Sequence, residues 1–382
     1  MKNRWPPAAV EEPALIPKDI LSLQQHSFLD LAGSWLLDSG IQEPSGGVAR
    51  YYRSDVGVNC RVSTEITGYA LSSFVFLQRL TSEPRYLEAA RRAARFLARA
   101  AWDPRLGIFP FEPAGGDQAP SLAYFFDCGI IARGLLAVWR ATNDAELLDA
   151  ALRCADSMAR DFGQVRAPHP ILVLPEKTPA PREGNWSRHP GCYQLKSAMA
   201  WYDVYEATGM QRHLAHYEQA LEQALSTHRS FLPGDDDPHR VMDRLHAYAY
   251  FLEGLLPRLD QAECMRAARW GIGTAARLPR QISPGFERSD VCAQILRLRL
   301  HADALGVIPL DRRAAEEEAR RVASYQVSSE DSRVNGGFFF GRRNGELVPH
   351  VNPVSTVFAM QALAMWRCYL EGTFQPDRRQ LI

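Results

Sequence analysis

Four carboxylates stand beside aromatic or hydroxyl residues where apolar helical segments begin. Glu65 lies in Ser63-Thr-Glu-Ile-Thr-Gly-Tyr69, and Asp127 in Tyr124-Phe-Phe-Asp-Cys-Gly129. Asp243 lies in Met242-Asp-Arg-Leu-His-Ala-Tyr248 and Asp290 in Glu287-Arg-Ser-Asp-Val-Cys292. Carboxylates that converge on one cavity supply a general acid and a general base, because desolvation and mutual repulsion drive their pKa values apart. For any one of them the plainer explanation is N-capping or the preference for acids in a helix first turn. Asp127 escapes that explanation best, since it follows three aromatics and precedes a glycine in an apolar segment. Glu65 and Asp243 become equivalent if the fourth repeat is aligned on Met265. His246, three residues after Asp243, would make an orientable acid–base pair with it if the side chains meet. The expected catalytic set is therefore Asp127, Glu65, Asp243 and His246.

These residues need a scaffold, and the sequence supplies one by repetition. Thr81-Ser-Glu-Pro-Arg-Tyr-Leu-Glu-Ala-Ala90, Thr142-Asn-Asp-Ala-Glu-Leu-Leu-Asp-Ala-Ala151 and Thr208-Gly-Met-Gln-Arg-His-Leu-Ala-His-Tyr217 align without gaps. Each reads as a short turn between two helices, with Leu87, Leu148 and Leu214 expected to clamp the second helix to the first. Gly68 and Gly129 both stand thirteen residues before the turn threonine, which predicts close helix approach. The upstream helices, near 64–80, 122–141 and 192–207, are apolar on most faces, whereas the downstream ones, near 84–101, 144–162 and 210–229, are amphipathic. An all-round apolar helix is buried and an amphipathic one covers it. Further pairs fall at 242–257 with 261–277 and at 289–305 with 310–326. The last inner helix, near 353–369, lacks a following partner, and the first helix, near 19–37, lacks a preceding one. Closing the ring with these two gives an all-α (α/α)6 toroid of six inner and six outer helices. An open solenoid accounts for the pairs but leaves both unpaired helices unexplained. The expected organisation is an irregular segment 1–18, one barrel domain 19–371 and a C-terminal tail 372–382.

Short turns connect inner to outer helices, so the long links 38–63, 102–121, 163–191, 230–241, 278–288 and 327–352 gather at one end. Six such loops around a single cavity argue for function. Trp102-Asp-Pro-Arg-Leu-Gly-Ile-Phe-Pro-Phe111 and Asn335-Gly-Gly-Phe-Phe-Phe-Gly-Arg-Arg-Asn-Gly345 combine turn residues with aromatics, as hairpin ribbons do. Aromatic faces beside arginine, aspartate and asparagine suit sugar rings, although the same aromatics would serve to seal the rim. The substrate-binding candidates are Tyr69, Phe126, Trp186, His189, Tyr193, Arg288, Asp290, Phe338, His350 and Asn352. His239 also falls at a helix start, whereas His213, His216 and His228 read as surface residues of an outer helix.

Several classes of function find no support. Lys plus Arg and Asp plus Glu number 44 each, so composition gives no reason to expect nucleic acid or an anionic membrane as partner. No apolar run approaches a membrane span, and no signal-peptide pattern opens the chain. The seven cysteines are scattered without a C-x-x-C pair, which fits a reducing cytoplasm. Zinc spacings, a nucleophile elbow and a phosphate loop are all absent, so neither a metal nor a cofactor is expected.

Ser63-Thr-Glu-Ile-Thr-Gly-Tyr69, Tyr86-Leu-Glu-Ala-Ala-Arg-Arg-Ala-Ala94 and Phe126-Asp-Cys-Gly129 resemble the six-hairpin glycosidase-type proteins. That superfamily includes unsaturated glucuronyl and rhamnogalacturonyl hydrolases and related proteins of bacterial polysaccharide pathways. The resemblance implies a carbohydrate-active enzyme, hydrolase or lyase, acting on an oligo- or polysaccharide that contains uronic acid. It also implies that Asp127 is the aspartate that protonates the sugar's double bond and activates water. Two alternatives stand beside it. One is a sugar epimerase using His246 and His350 on opposite ring faces; the other is a glycan-binding or assembly protein without catalysis.

Overall fold

The computed structural model describes residues 18–112, 121–163 and 167–382, with side chains from Phe28 onward. The expected irregular segment before Lys18, and parts of the second and third links, lie outside the described residues.

Twelve α-helices alternate between two layers. The inner ones are α2 (Thr64–Thr81), α4 (Phe125–Thr142), α6 (Leu195–Thr208), α8 (Pro238–Gly254), α10 (Ser289–Ala304) and α12 (Pro353–Leu370). The outer ones are α1 (Lys18–Asp38), α3 (Pro84–Arg95, continued by a π-helical turn to Ala101), α5 (Ala145–Asp161), α7 (Gln211–Phe231), α9 (Ala262–Ile282) and α11 (Arg312–Ala323). Each inner helix packs on the next, and α12 packs on α2, so the ring closes. The first helix, α1, lies against α12 and α3. The molecule is an (α/α)6 toroid.

The repeated turns have a common chemistry. Thr81, Thr142 and Thr208 each donate a side-chain hydrogen bond to the carbonyl four residues back, at 2.8 Å. Each hydroxyl also accepts from the backbone N–H two residues on, at 3.2–3.3 Å. The intervening residue, Ser82, Asn143 or Gly209, sits in the left-handed region that ends a helix. The residue that clamps the outer helix is one position earlier than expected. Tyr86, Leu147 and His213 are buried, while Leu87, Leu148 and Leu214 are half-buried. The glycines behave as predicted: a Cβ on Gly129 would stand 2.5 Å from the Cα of Ser197, and one on Gly68 3.0 Å from that of Ile131.

Short ribbons tie the long links together at one end. Tyr52–Arg53 pairs with Val58–Asn59 and with His350–Val351, joining the first link to the last. Leu122–Tyr124 pairs with Ile171–Val173, and Phe286–Arg288 with Gly341–Arg343. The expected ribbons at 102–111 and 335–345 are present as a bridged turn, Asp103 opposite Ile108, and a hairpin, Gly341–Arg343 with Glu346–Leu347. At the opposite end, the C-terminal segment folds under the barrel and buries Leu381 and Ile382.

Candidate active site

The inner-helix N-termini and the links enclose a cavity of about 290 Å³. Two carboxylates face it. Glu65 stands in the first turn of α2, which Ser63 caps by accepting from the Ile66 N–H. Asp127 is the third residue of α4, and the third link covers it, with the Phe125 N–H donating to the Pro170 carbonyl at 3.0 Å. Asp127 is 5% exposed, and its Oδ2 has no hydrogen-bond partner among the described residues.

Desolvation dominates both acids. Burial pushes Glu65 up to about 7, opposed only by the positive charge of Arg50. Burial, and then the neighbouring charge of Glu65, raise Asp127 well above the usual carboxylate range. Each carboxyl group therefore keeps its proton to a higher pH than an ordinary one does.

Helix α8 stands three positions round the ring from α2 and contributes Tyr250 and His246. Their side chains are hydrogen-bonded, Tyr250 Oη to His246 Nε2, at 2.9 Å. On the other side of the ring, His246 Nδ1 lies 2.8 Å from Gln294 Oε1 and 3.6 Å from Asp290 Oδ2. Both of those neighbours are acceptors, so Nδ1 carries the hydrogen, and Nε2 accepts the Tyr250 hydroxyl proton. Burial lowers His246 to about 4 against the pull of Asp290, which leaves the ring neutral at pH 7. The Tyr250 oxygen is thereby left to act as an acceptor. Below the cavity, the buried Tyr69 hydroxyl stands against that of Tyr250, and the two interact.

Aromatic side chains form the rest of the wall: Phe111, Tyr124, Phe126, Trp186 and Tyr193. Trp186 and Tyr193 meet edge to face at 5.1 Å, and Phe126 packs on Tyr250 at 4.7 Å. Arg50 adds a guanidinium at the mouth, stacked over Phe111 and 3.8 Å from Glu112.

The structure therefore brings Glu65, Asp127, His246, Phe126, Trp186 and Tyr193 to one cavity, with Tyr69 beneath. Other expected residues stand elsewhere. Asp243 does not pair with His246. Helix α8 begins four residues earlier than expected, at Pro238 behind an Asp237 cap, which puts Asp243 in its second turn. There it is about half exposed and bound to Arg288 Nη1 at 2.8 Å. Arg288 in turn clamps Asp290 bidentately at 2.6 and 3.0 Å, so both are committed to an internal ion pair behind His246. Although burial alone would raise Asp290, Arg288 and then His246 hold it below the usual range.

Phe338 is fully buried and seals the rim. Asn352 caps α12, its Oδ1 accepting from the Val354 N–H at 2.8 Å. His350 stacks on Tyr51 at 4.7 Å in the ribbon above the cup, which leaves His246 as the one histidine on the cavity wall among the described residues. His189 holds its link by accepting from the Tyr193 hydroxyl through its backbone carbonyl. His239 stacks on Phe286. The surface expectation fails for His213 and His228, which are buried, because the outer helix turns that face onto its inner neighbours.

Arg50, Phe111, Tyr124, Gln194, Tyr250 and Gln294 were not anticipated. For Tyr250 a signal existed: it is four residues from His246 on one helix, and such residues share a face. Tyr124 and Phe111 lay within aromatic segments singled out in the sequence, whereas Arg50, Gln194 and Gln294 carry no local mark. Among the described residues, no three His, Cys, Asp or Glu side chains are grouped to hold a metal ion.

No protein-family model and no curated protein sequence matches this chain. Solved structures do match it by shape. A sugar epimerase from a ruminal bacterium superposes with a TM-score of 0.69 at 11% identity, covering 90% of this chain and 98% of that one. Cellobiose 2-epimerase from Spirochaeta thermophila gives 0.68 at 16% identity, with coverages of 93% and 100%. Unsaturated glucuronyl hydrolase from Streptococcus agalactiae gives 0.66 at 12% identity, with coverages of 96% and 95%. The architecture is the six-hairpin (α/α)6 toroid that these proteins share.

Proposed function

We propose that this chain is a carbohydrate-active enzyme of the hydrolase type, with Asp127 as general acid and Glu65 as general base. The observation that carries this reading is the pair itself. Two carboxyl groups share one aromatic-walled cavity, and both have pKa values raised by burial. The more strongly raised one, Asp127, keeps its proton at neutral pH and donates it to the sugar. Glu65, poised near 7, then takes a proton from the attacking water. The aromatic faces suit the C–H faces of a pyranose, and Arg50 suits a carboxylate on the ring, which favours a uronic-acid residue. The similarity in shape to unsaturated glucuronyl hydrolase agrees with this choice.

A second reading rests on a different observation, the Tyr250–His246 hydrogen bond. A tyrosine oxygen that can take a proton while passing its own to histidine is a base for removing hydrogen from carbon. Opposed by a protonated carboxyl, it would serve an epimerase or isomerase, and sugar epimerases share the fold.

One experiment addresses both readings. The purified protein is incubated in D₂O with unsaturated uronyl disaccharides and, separately, with mannose and cellobiose, and followed by NMR. The hydrolase reading expects cleavage of the uronyl disaccharide, a rate that rises with pH through about 7 as Glu65 loses its proton and falls again where Asp127 loses its own, and loss of turnover in Asp127→Asn. Deuterium appearing at a sugar carbon without cleavage, lost in Tyr250→Phe, would replace it with the second reading.

A further inference from the structure

At the end of the toroid opposite the cup lies a second cavity, of about 250 Å³. The last turns of α2 supply Ser72, Val75, Phe76 and Arg79, and those of α4 supply Ala137 and Arg140. The C-terminal segment closes it with Asp377, Arg379 and Gln380.

Charge at this end is unbalanced. Asp203 binds Arg133 at 2.9 Å and Arg378 at 2.6 Å, Glu206 also pairs with Arg378, and Asp377 binds Arg379 at 3.0 Å. With Arg79 and Arg140 that makes five guanidinium groups against three carboxylates, an excess of two positive charges. The excess is local: Arg79 and Arg140 have no carboxylate partner among the described residues. Arg140 makes one long hydrogen bond, 3.4 Å to the backbone carbonyl of Asp203. Burial lowers its pKa against the pull of Asp203 and Glu206, yet a guanidinium stays charged in a protein and carries five N–H donors. The favourable field of a helix C-terminus explains a cation in a last turn. It does not explain turning that cation inward, onto a cavity wall of Val75, Phe76 and Ala137, where water serves its donors less well.

We propose that this cavity binds a small organic oxyanion, its head held by Arg140 and Arg79 and its short apolar stem lying on Val75, Phe76 and Ala137. Planar guanidinium groups match carboxylate and phosphate oxygens bidentately, and the cavity has room for a stem of a few carbons. The occupant also touches the C-terminal segment, so it fastens that segment beneath the barrel. From Gln380 the chain runs on to Ile382, whose carbonyl accepts from Lys196 at 3.1 Å and Arg297 at 3.2 Å.

Calorimetric titration of the full chain with butyrate, inorganic phosphate and neutral butyramide tests this. Binding of butyrate or phosphate is expected, with the preferred anion naming the head group, and none of butyramide. Affinity should fall about tenfold or more in Arg140→Gln, the loss of a charge-assisted contact. Arg79→Gln, at an exposed position that folding does not need, should weaken it too. Asp127→Asn should leave it unchanged, which separates this site from the cup. No heat with either anion at millimolar concentration, equal affinity in both arginine variants, or competition by sugars that occupy the cup would overturn the proposal.

Discussion

Glu253, near the C-terminus of α8, lies between Lys196 at 2.8 Å and Arg297 at 2.6 Å, and all three side chains are fully buried. At the cup, Asp127 is buried and Glu65 half-buried, and the cation that lowers them is Arg50 at the mouth. The two regions therefore hold their acids in opposite states. Burial tends to raise Glu253 as well, but its two cations outweigh it and the carboxylate stays ionised, whereas the cup acids are driven up. An ionised, saturated carboxylate has no proton to give and no free lone pair to take one. A carboxyl group kept from its counter-charge is unstable as an anion, and that instability is what acid–base chemistry uses.

Substitutions at the two ends should break this contrast in different ways. Glu253→Gln keeps the shape but leaves Arg297 a buried cation without a carboxylate, beside a Lys196 that burial already lowers to about 7. A loss of about 3–5 kcal/mol in chemical denaturation is expected, and the folded fraction should drop visibly. Asp127→Asn should do the reverse: turnover on whichever sugar is accepted falls roughly 10²-fold or more, while the denaturation midpoint is maintained. A variant equally disabled in stability would place Asp127 with the structural acids.

Glu65→Gln sharpens the contrast through pH. Its folded pKa of about 7 exceeds the ordinary 4.5, so the folded chain holds this proton more tightly than the unfolded one. Stability contributed by the neutral carboxyl is therefore full below about 4.5, declines as pH rises, and is gone above about 7. The glutamine variant should match the parent at about pH 4 and exceed it by about 3 kcal/mol at about pH 8. An unchanged difference across that range would mean that folding does not shift the Glu65 pKa. The smallest effect is expected at Asp243, whose half-exposed ion pair with Arg288 leaves the Arg288–Asp290 clamp intact when it is lost. Asp243→Asn should change stability by less than about 1 kcal/mol and leave turnover close to that of the parent.

The cavity-facing candidates were legible wherever a single helix start carried the signal. Glu65 and Asp127 sit in first turns, flanked by aromatic or hydroxyl residues that no capping role demands, and Trp186 and Tyr193 lie at the end of a proline-rich link. The reading went astray where a one-turn shift mattered. An Asp-Pro cap at Asp237 starts α8 early, so Asp243 rotates out to Arg288, and the partner of His246 becomes Gln294, 48 residues away.

The toroid itself was determined by the sequence, because the forces that make it are local. Each turn threonine bonds within its own few residues, the left-handed position follows it, and the helical period shows which face must be buried. What only the tertiary structure decided is how each buried charge is compensated. Lys196 finds Glu253 57 residues on, and Arg133 finds Asp203 70 residues on, across helices whose rotation no short segment specifies. The same long-range geometry leaves Glu65 and Asp127 without such partners. Coulomb energy and desolvation depend on distance and dielectric in space, and neither quantity is written in the order of residues along the chain.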